Sequence, residues 1–112
     1  MADHITQQAY KMADILSNKK GQDIVILSVK GISSIADYFI IATGTSSTHI
    51  NALSDYLEKD FGYNLKHKEG KQQGGWLLLD FRDIVVHIFS NDMRQYYSLE
   101  RIWNDAEVIT IE

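Results

Sequence analysis

The sequence predicts a single α/β domain over residues 1–112, with a mixed sheet of about five strands and flanking helices. Three observations carry this. Two stretches repeat apolar residues at helical spacing, several short runs are rich in β-branched residues, and proline is absent, so nothing interrupts either kind of element. The length also suits one domain rather than two.

Taken in order, Ile5, Ala9, Met12, Ile15 and Leu16 predict a first helix over roughly residues 4–19, with Asp3 as cap and Gly21 at the C′ position. Ile24–Val29 reads as a buried strand, and Gly31 and Ser33–Ser34 as the turn after it. Asp37–Thr43 is a second strand, ended by Gly44. Ser46 then caps a helix whose stripe is Ile50, Leu53, Leu57 and Phe61, closed by Gly62. Leu65–Lys68 reads as a short edge strand guarded by lysine, and Glu69–Gly75 as a polar loop. Trp76–Leu79 and Ile84–Phe89 form a hairpin through Asp80-Phe81-Arg82-Asp83. Ser90 caps a short helix around Asp92–Gln95, Ser98 another through Trp103, and the acidic tail from Asn104 carries no assignment.

Apolar residues make up 45% of the chain and charged residues 23%, which excludes a disordered chain. The longest apolar runs fall far short of the ~20 residues that cross a bilayer. Asp3, His4, Lys11 and Asp14 argue against a signal peptide, and with no cysteine present a cytoplasmic location is expected. The missing cysteine also excludes disulfides, thiolate catalysis and zinc–thiolate sites.

The net charge of −4 lies entirely in the last third: residues 72–112 hold three arginines against seven acids, whereas residues 1–71 balance eight lysines with eight acids. Nucleic-acid binders usually show a basic surface, which this chain lacks apart from Lys66, His67, Lys68 and Lys71, so no sequence-specific nucleic-acid binding is expected. An acidic end suits a basic protein partner, more through encounter than through affinity.

The hairpin is the sharpest clue. Side chains alternate along a strand, so Trp76, Leu78 and Asp80 share one face, and Leu77 and Leu79 the other. In the next strand Ile84, Val86 and Ile88 oppose Val85, His87 and Phe89. Both faces are largely apolar, where a half-solvated sheet would alternate apolar with polar. Either helices cover both, or one face is kept for another molecule. Trp76 follows Gly74–Gly75 at a strand entrance, where exposure is common, and an exposed Trp beside aliphatics is an interface anchor. Tyr96, Tyr97, Leu99, Glu100, Arg101 and Trp103 follow, dense in the residue types that dominate interfaces.

Signals for catalysis are weak. Four histidines stand at positions 4, 49, 67 and 87, none four residues from another, so no metal site is expected, and His87 reads as a half-buried histidine with its hydrogen bonds made. Gly44-Thr45-Ser46 follows a strand and opens a helix, where backbone amides can cradle a phosphate. Nucleotidyltransferases use such a Gly-Ser, but need two carboxylates one residue apart on the following strand to hold metal ions. Here that strand reads Leu65-Lys66-His67-Lys68, and Asp80 and Asp83 have the wrong spacing. No catalytic residue and no cofactor is expected.

Three segments in this order resemble the ribosomal silencing factors, the Iojap-like family: residues 37–44, Asp-Tyr-Phe-Ile-Ile-Ala-Thr-Gly; residues 75–89, Gly-Trp-Leu-Leu-Leu-Asp-Phe-Arg-Asp-Ile-Val-Val-His-Ile-Phe; and residues 97–103, Tyr-Ser-Leu-Glu-Arg-Ile-Trp. The resemblance extends over nearly the whole chain. It implies a nucleotidyltransferase-like fold without the catalytic carboxylates, and a protein that is not an enzyme. It implies binding to the large ribosomal subunit through ribosomal protein L-fourteen, which sterically blocks joining of the small subunit and represses translation when nutrients are limiting. A homodimer of the free protein and a part in large-subunit biogenesis are also implied. By motif position, the partner surface falls on Trp76, Leu78, Asp80, Tyr96, Tyr97 and Leu99, with Asp83 and Glu100 as acidic contacts. The rival readings are a nucleotidyl-transfer enzyme and a scaffold whose apolar face serves only self-association.

Overall fold

Helical spacing puts Ala9, Met12, Ala13 and Leu16 on one buried stripe of α1, His4–Asn18. The structure, a computed structural model, describes residues 4–32, 34, 36–97 and 107–110. α1 closes in a Schellman motif: the Gly21 N–H reaches the Leu16 carbonyl at 2.7 Å and the Lys20 N–H that of Ser17 at 3.0 Å. The left-handed C′ residue is therefore Lys20, with φ 69°, and Gly21 lies one place beyond its expected position.

Strand β1 covers Gln22–Ser28 and β2 Tyr38–Thr43, all six residues of β2 being buried. α2 spans Ser47–Phe61, with Ser46 as its cap: the Ser46 hydroxyl accepts the His49 N–H at 3.0 Å. The helix runs on into a 3-10 turn, Gly62–Asn64. Then come β3, His67–Lys71, a 3-10 turn at Gln72–Gly74, β4, Trp76–Asp80, and β5, Ile84–Phe89. α3 spans Asn91–Tyr97, capped by Ser90, whose hydroxyl accepts the Met93 N–H at 3.2 Å. β6 covers Glu107–Thr110.

The sheet has six strands rather than five, in the order β3-β4-β5-β2-β1-β6. The sixth is β6, which pairs antiparallel with β1 within the tail left unassigned on sequence. Only β2 and β5 run parallel, the other neighbours antiparallel. The chain crosses from β2 to β5 through α2 and the β3–β4 hairpin. β3 begins at His67, two residues beyond the expected start at Leu65. Leu65 lies in the connection and packs, partly buried, against the core, so its apolar side chain serves the connection and not the strand. Glu69, Gly70 and Lys71, expected in a loop, complete the strand, which is exposed along its whole length. The short helix expected from Ser98 to Trp103, with Leu99 and Glu100, lies outside the described residues.

α1 and α2 cover one face of the sheet. Leu77 and Leu79 of β4 and Ile84, Val86 and Ile88 of β5 bury there against Leu53 and Leu57. The alternate residues form a second cluster on the opposite face, including Leu27, Phe39, Ile41, Val85 and Phe89. Among the described residues, α3 is the one helix packed on that face, through Met93.

Candidate functional site

The second face carries a row of rings that climbs from core to surface. Phe39 meets His87 edge-on at 5.7 Å between centroids, and His87 stacks on Phe89 at 5.8 Å and 8°. Phe89 contacts Tyr97 at 5.6 Å, and Tyr97 contacts both Trp76, at 6.1 Å, and Tyr96, at 5.3 Å. Period two on β4 and β5 supplies Trp76, His87 and Phe89, with Trp76 opposite Phe89 in the register and Leu78 opposite His87. α3 supplies the two tyrosines. Phe39 and Phe89 are buried, whereas Trp76 and Leu78 are half-buried. Tyr97 is 41% exposed and Tyr96 78%.

Glycines shape this end of the sheet. Gly75, at φ 77°, precedes Trp76, and a Cβ there would stand 2.6 Å from the Ser90 hydroxyl and 2.9 Å from Met93 Cγ. Only a bare backbone lets α3 begin so close to β4. The Arg94 guanidinium ties the helix down, donating to the Asp23 carbonyl at 2.5 Å and to the Thr43 hydroxyl at 2.9 Å.

Of the residues expected at a partner surface, the fold brings together Trp76, Leu78, Tyr96 and Tyr97. Asp80 and Asp83 belong to the other end of the hairpin, and four residue steps put Asp80 about 13 Å along β4 from Trp76. The Asp80 carboxylate accepts the Arg82 N–H at 2.8 Å and so holds the turn, where Arg82 takes φ 76°. Asp83 is exposed in the same turn. Leu99 and Glu100 lie outside the described residues. The rim beside the anchor is of mixed sign: Lys71 pairs in register with Trp76 and Glu69 with Leu78. Sequence reasoning missed Met93 and Gly70 as parts of this surface. Their signal is three-dimensional, because neither lies on the strand that bears the anchor.

His87 departs from expectation. It is buried at 9% exposure, and its Nδ1 has no hydrogen-bond partner. Burial disfavours the charged imidazole and pushes its pKa down to about 4. His87 is therefore a neutral member of the ring row at physiological pH.

A recess about 520 Å³ in volume opens at the carboxyl ends of the parallel pair β2 and β5, where α/β sheets often bind ligands. Thr43, Gly44, Thr45, Ser90 and Asp92 line it. Two of its backbone donors are already engaged: the Thr45 N–H goes to His49 Nδ1 at 2.9 Å and the Gly44 N–H to the Phe89 carbonyl at 2.8 Å. Asp92 adds negative charge where a phosphate would need the opposite. β3, the strand following α2, carries Glu69 as its one carboxylate. Among the described residues no three His, Asp or Glu side chains gather as metal ligands, and no helix is long and apolar enough to cross a membrane.

The fold and this surface thus define a small α/β domain with one helix-covered face and one face whose aromatic edge reaches solvent. The sequence model of a family described as "Ribosomal silencing factor during starvation" matches residues 2–112. The chain is 41% identical over 100 residues to the ribosomal silencing factor of Halalkalibacterium halodurans, covering 87% of this chain and 86% of that protein. It is 32% identical over 111 residues to the mouse "Mitochondrial assembly of ribosomal large subunit protein 1", covering 91% of this chain and 48% of that protein. A crystal structure of a Chromobacterium violaceum protein superimposes with a TM-score of 0.79 at 33% identity, covering 88% of this chain and 85% of that one. The chain belongs to the ribosomal silencing factor family.

Proposed function

We propose that this protein docks on the large ribosomal subunit through the solvent-facing end of the ring row, contacts ribosomal protein L-fourteen there, and blocks the small subunit by its bulk. It acts without catalysis, in the cytoplasm. The observation that supports this reading most is the continuity of Trp76 and Tyr97 with buried Phe89. Rings packed on a rigid core lose little freedom on binding, and Trp and Tyr are residue types that anchor interfaces. A standard footprint of roughly 800 Å² is a modest share of the 6468 Å² surface, and it suffices to hold a steric block. L-fourteen, the cytoplasm and the steric mechanism come from the family resemblance. A homodimer of the free protein would compete for the same face.

The test is co-sedimentation with purified bacterial large subunits. Trp76→Ala is expected to cost about 2 kcal/mol of binding, roughly 30-fold in Kd, while the protein stays folded. Unimpaired co-sedimentation of the folded variant would remove Trp76 from the interface. A second reading, a part in large-subunit assembly, is favoured by the similarity to the mouse mitochondrial protein. It uses the same surface and differs in the state of the subunit bound.

A further inference from the structure

Gly70 is the fourth of five residues in an edge strand that buries none of them, so core packing does not explain the missing side chain. Its backbone takes φ 92°, a region that L side chains rarely adopt. A Cβ at this position would press into the Trp76 carbonyl oxygen and stand 2.8 Å from Trp76 Cε3, a carbon of the indole. The contrast with Gly31 is informative: it also has positive φ, at 76°, yet a Cβ there would meet nothing within 4 Å. Gly31 serves a turn, whereas the bare backbone at Gly70 makes room for the Trp76 carbonyl and for the edge of its indole. A strand glycine commonly marks such a close approach.

We infer that Gly70 is a positioning residue for the Trp76 indole. The bare backbone of β3 forms the seat against which the ring rests on one side, while Tyr97 contacts it from α3 at 6.1 Å. The seat holds the indole in one orientation before a partner arrives, which spares the ordering cost of an anchor that must find its pose on binding. This inference rests on the docking reading above, and it adds a residue on a different strand that makes no contact with the partner of its own.

The experiment is a double-mutant cycle of Gly70→Ala and Trp76→Ala, read by co-sedimentation with purified bacterial large subunits. Fluorine NMR of fluorotryptophan-labelled protein follows the ring, with the Trp76 resonance assigned by its loss in Trp76→Phe. Gly70→Ala is expected to shift that resonance and to weaken binding about 10-fold, yet to change Kd by less than about 2-fold when Trp76 is already Ala. Backbone strain from the added Cβ is the same in both backgrounds, so a merely structural role for Gly70 would weaken binding equally in both. If Gly70→Ala does not fold, Gly70→Asn brings the same Cβ with a side chain that better tolerates positive φ. An unmoved Trp76 resonance, or a loss that persists with Trp76 gone, overturns the inference. Trp76→Ala alone isolates the other failure: full binding by that variant overturns the docking reading, and the function of the seat with it.

Discussion

The two faces of the sheet are built from the same strands by the same alternation, yet they end differently. On the helix-covered face the apolar residues of β4, Leu77 and Leu79, are buried beneath α1 and α2. On the opposite face their neighbours Trp76 and Leu78 stay half-buried, and the tyrosines of α3 stand in solvent. Apolar area removed from water stabilises the fold at roughly 25 cal/mol per Å², whichever molecule covers it. One face has collected that stabilisation within the chain. On the other, part of that apolar area stays in contact with water.

That division can be broken by truncation. Phe81 is fully buried under the helices, and Phe81→Ala is expected to cost about 4 kcal/mol in denaturant unfolding. Tyr96→Ala on the exposed end should change stability by less than about 0.5 kcal/mol. Equal losses at the two sites would erase the distinction between core and docking edge.

The next largest effect comes from His87, where the ring row enters the core. Its folded pKa of about 4 lies below the ordinary 6.5, so between those values the unfolded chain binds the extra proton. The stability it lends is whole above pH 6.5 and is lost as the pH falls toward 4, by about 3 kcal/mol in all. His87→Phe should abolish this part of the acid sensitivity, seen as a gap between wild-type and variant unfolding curves that grows from pH 7 to pH 4.5. A constant gap would mean that the imidazole reaches water. The smaller predictions, about 30-fold for Trp76→Ala and about 10-fold for Gly70→Ala, sharpen the contrast by moving binding with the fold kept.

Much of this was legible in the sequence, for a physical reason. Strand alternation has period two regardless of context, so the split of Trp76 and Leu78 from Leu77 and Leu79 could be read from order alone. The caps at Ser46 and Ser90 were readable because a hydroxyl bonds an amide only three residues on. β3 was misplaced because an exposed edge strand has no apolar face to alternate, and Leu65 supplied a false one. β6 was missed because its pairing with β1 is a long-range contact that an acidic tail does not announce. The site divides likewise. Trp76 and the tyrosines were visible as residue types, whereas their junction, the spent carboxylate of Asp80 and the seat at Gly70 exist only once the strands are laid side by side.

Two tyrosines give the central claim its most direct trial, because they are equally exposed on opposite sides. Tyr96 is 78% exposed at the end of the ring row; Tyr63 is 79% exposed beside α1, where its hydroxyl takes a hydrogen bond from Gln8. A photo-crosslinking phenylalanine analogue placed at either position, and irradiated with large subunits, reports which side meets the ribosome. A crosslink is expected from position 96 to ribosomal protein L-fourteen and none from position 63. A crosslink from position 63 with none from position 96 would contradict it.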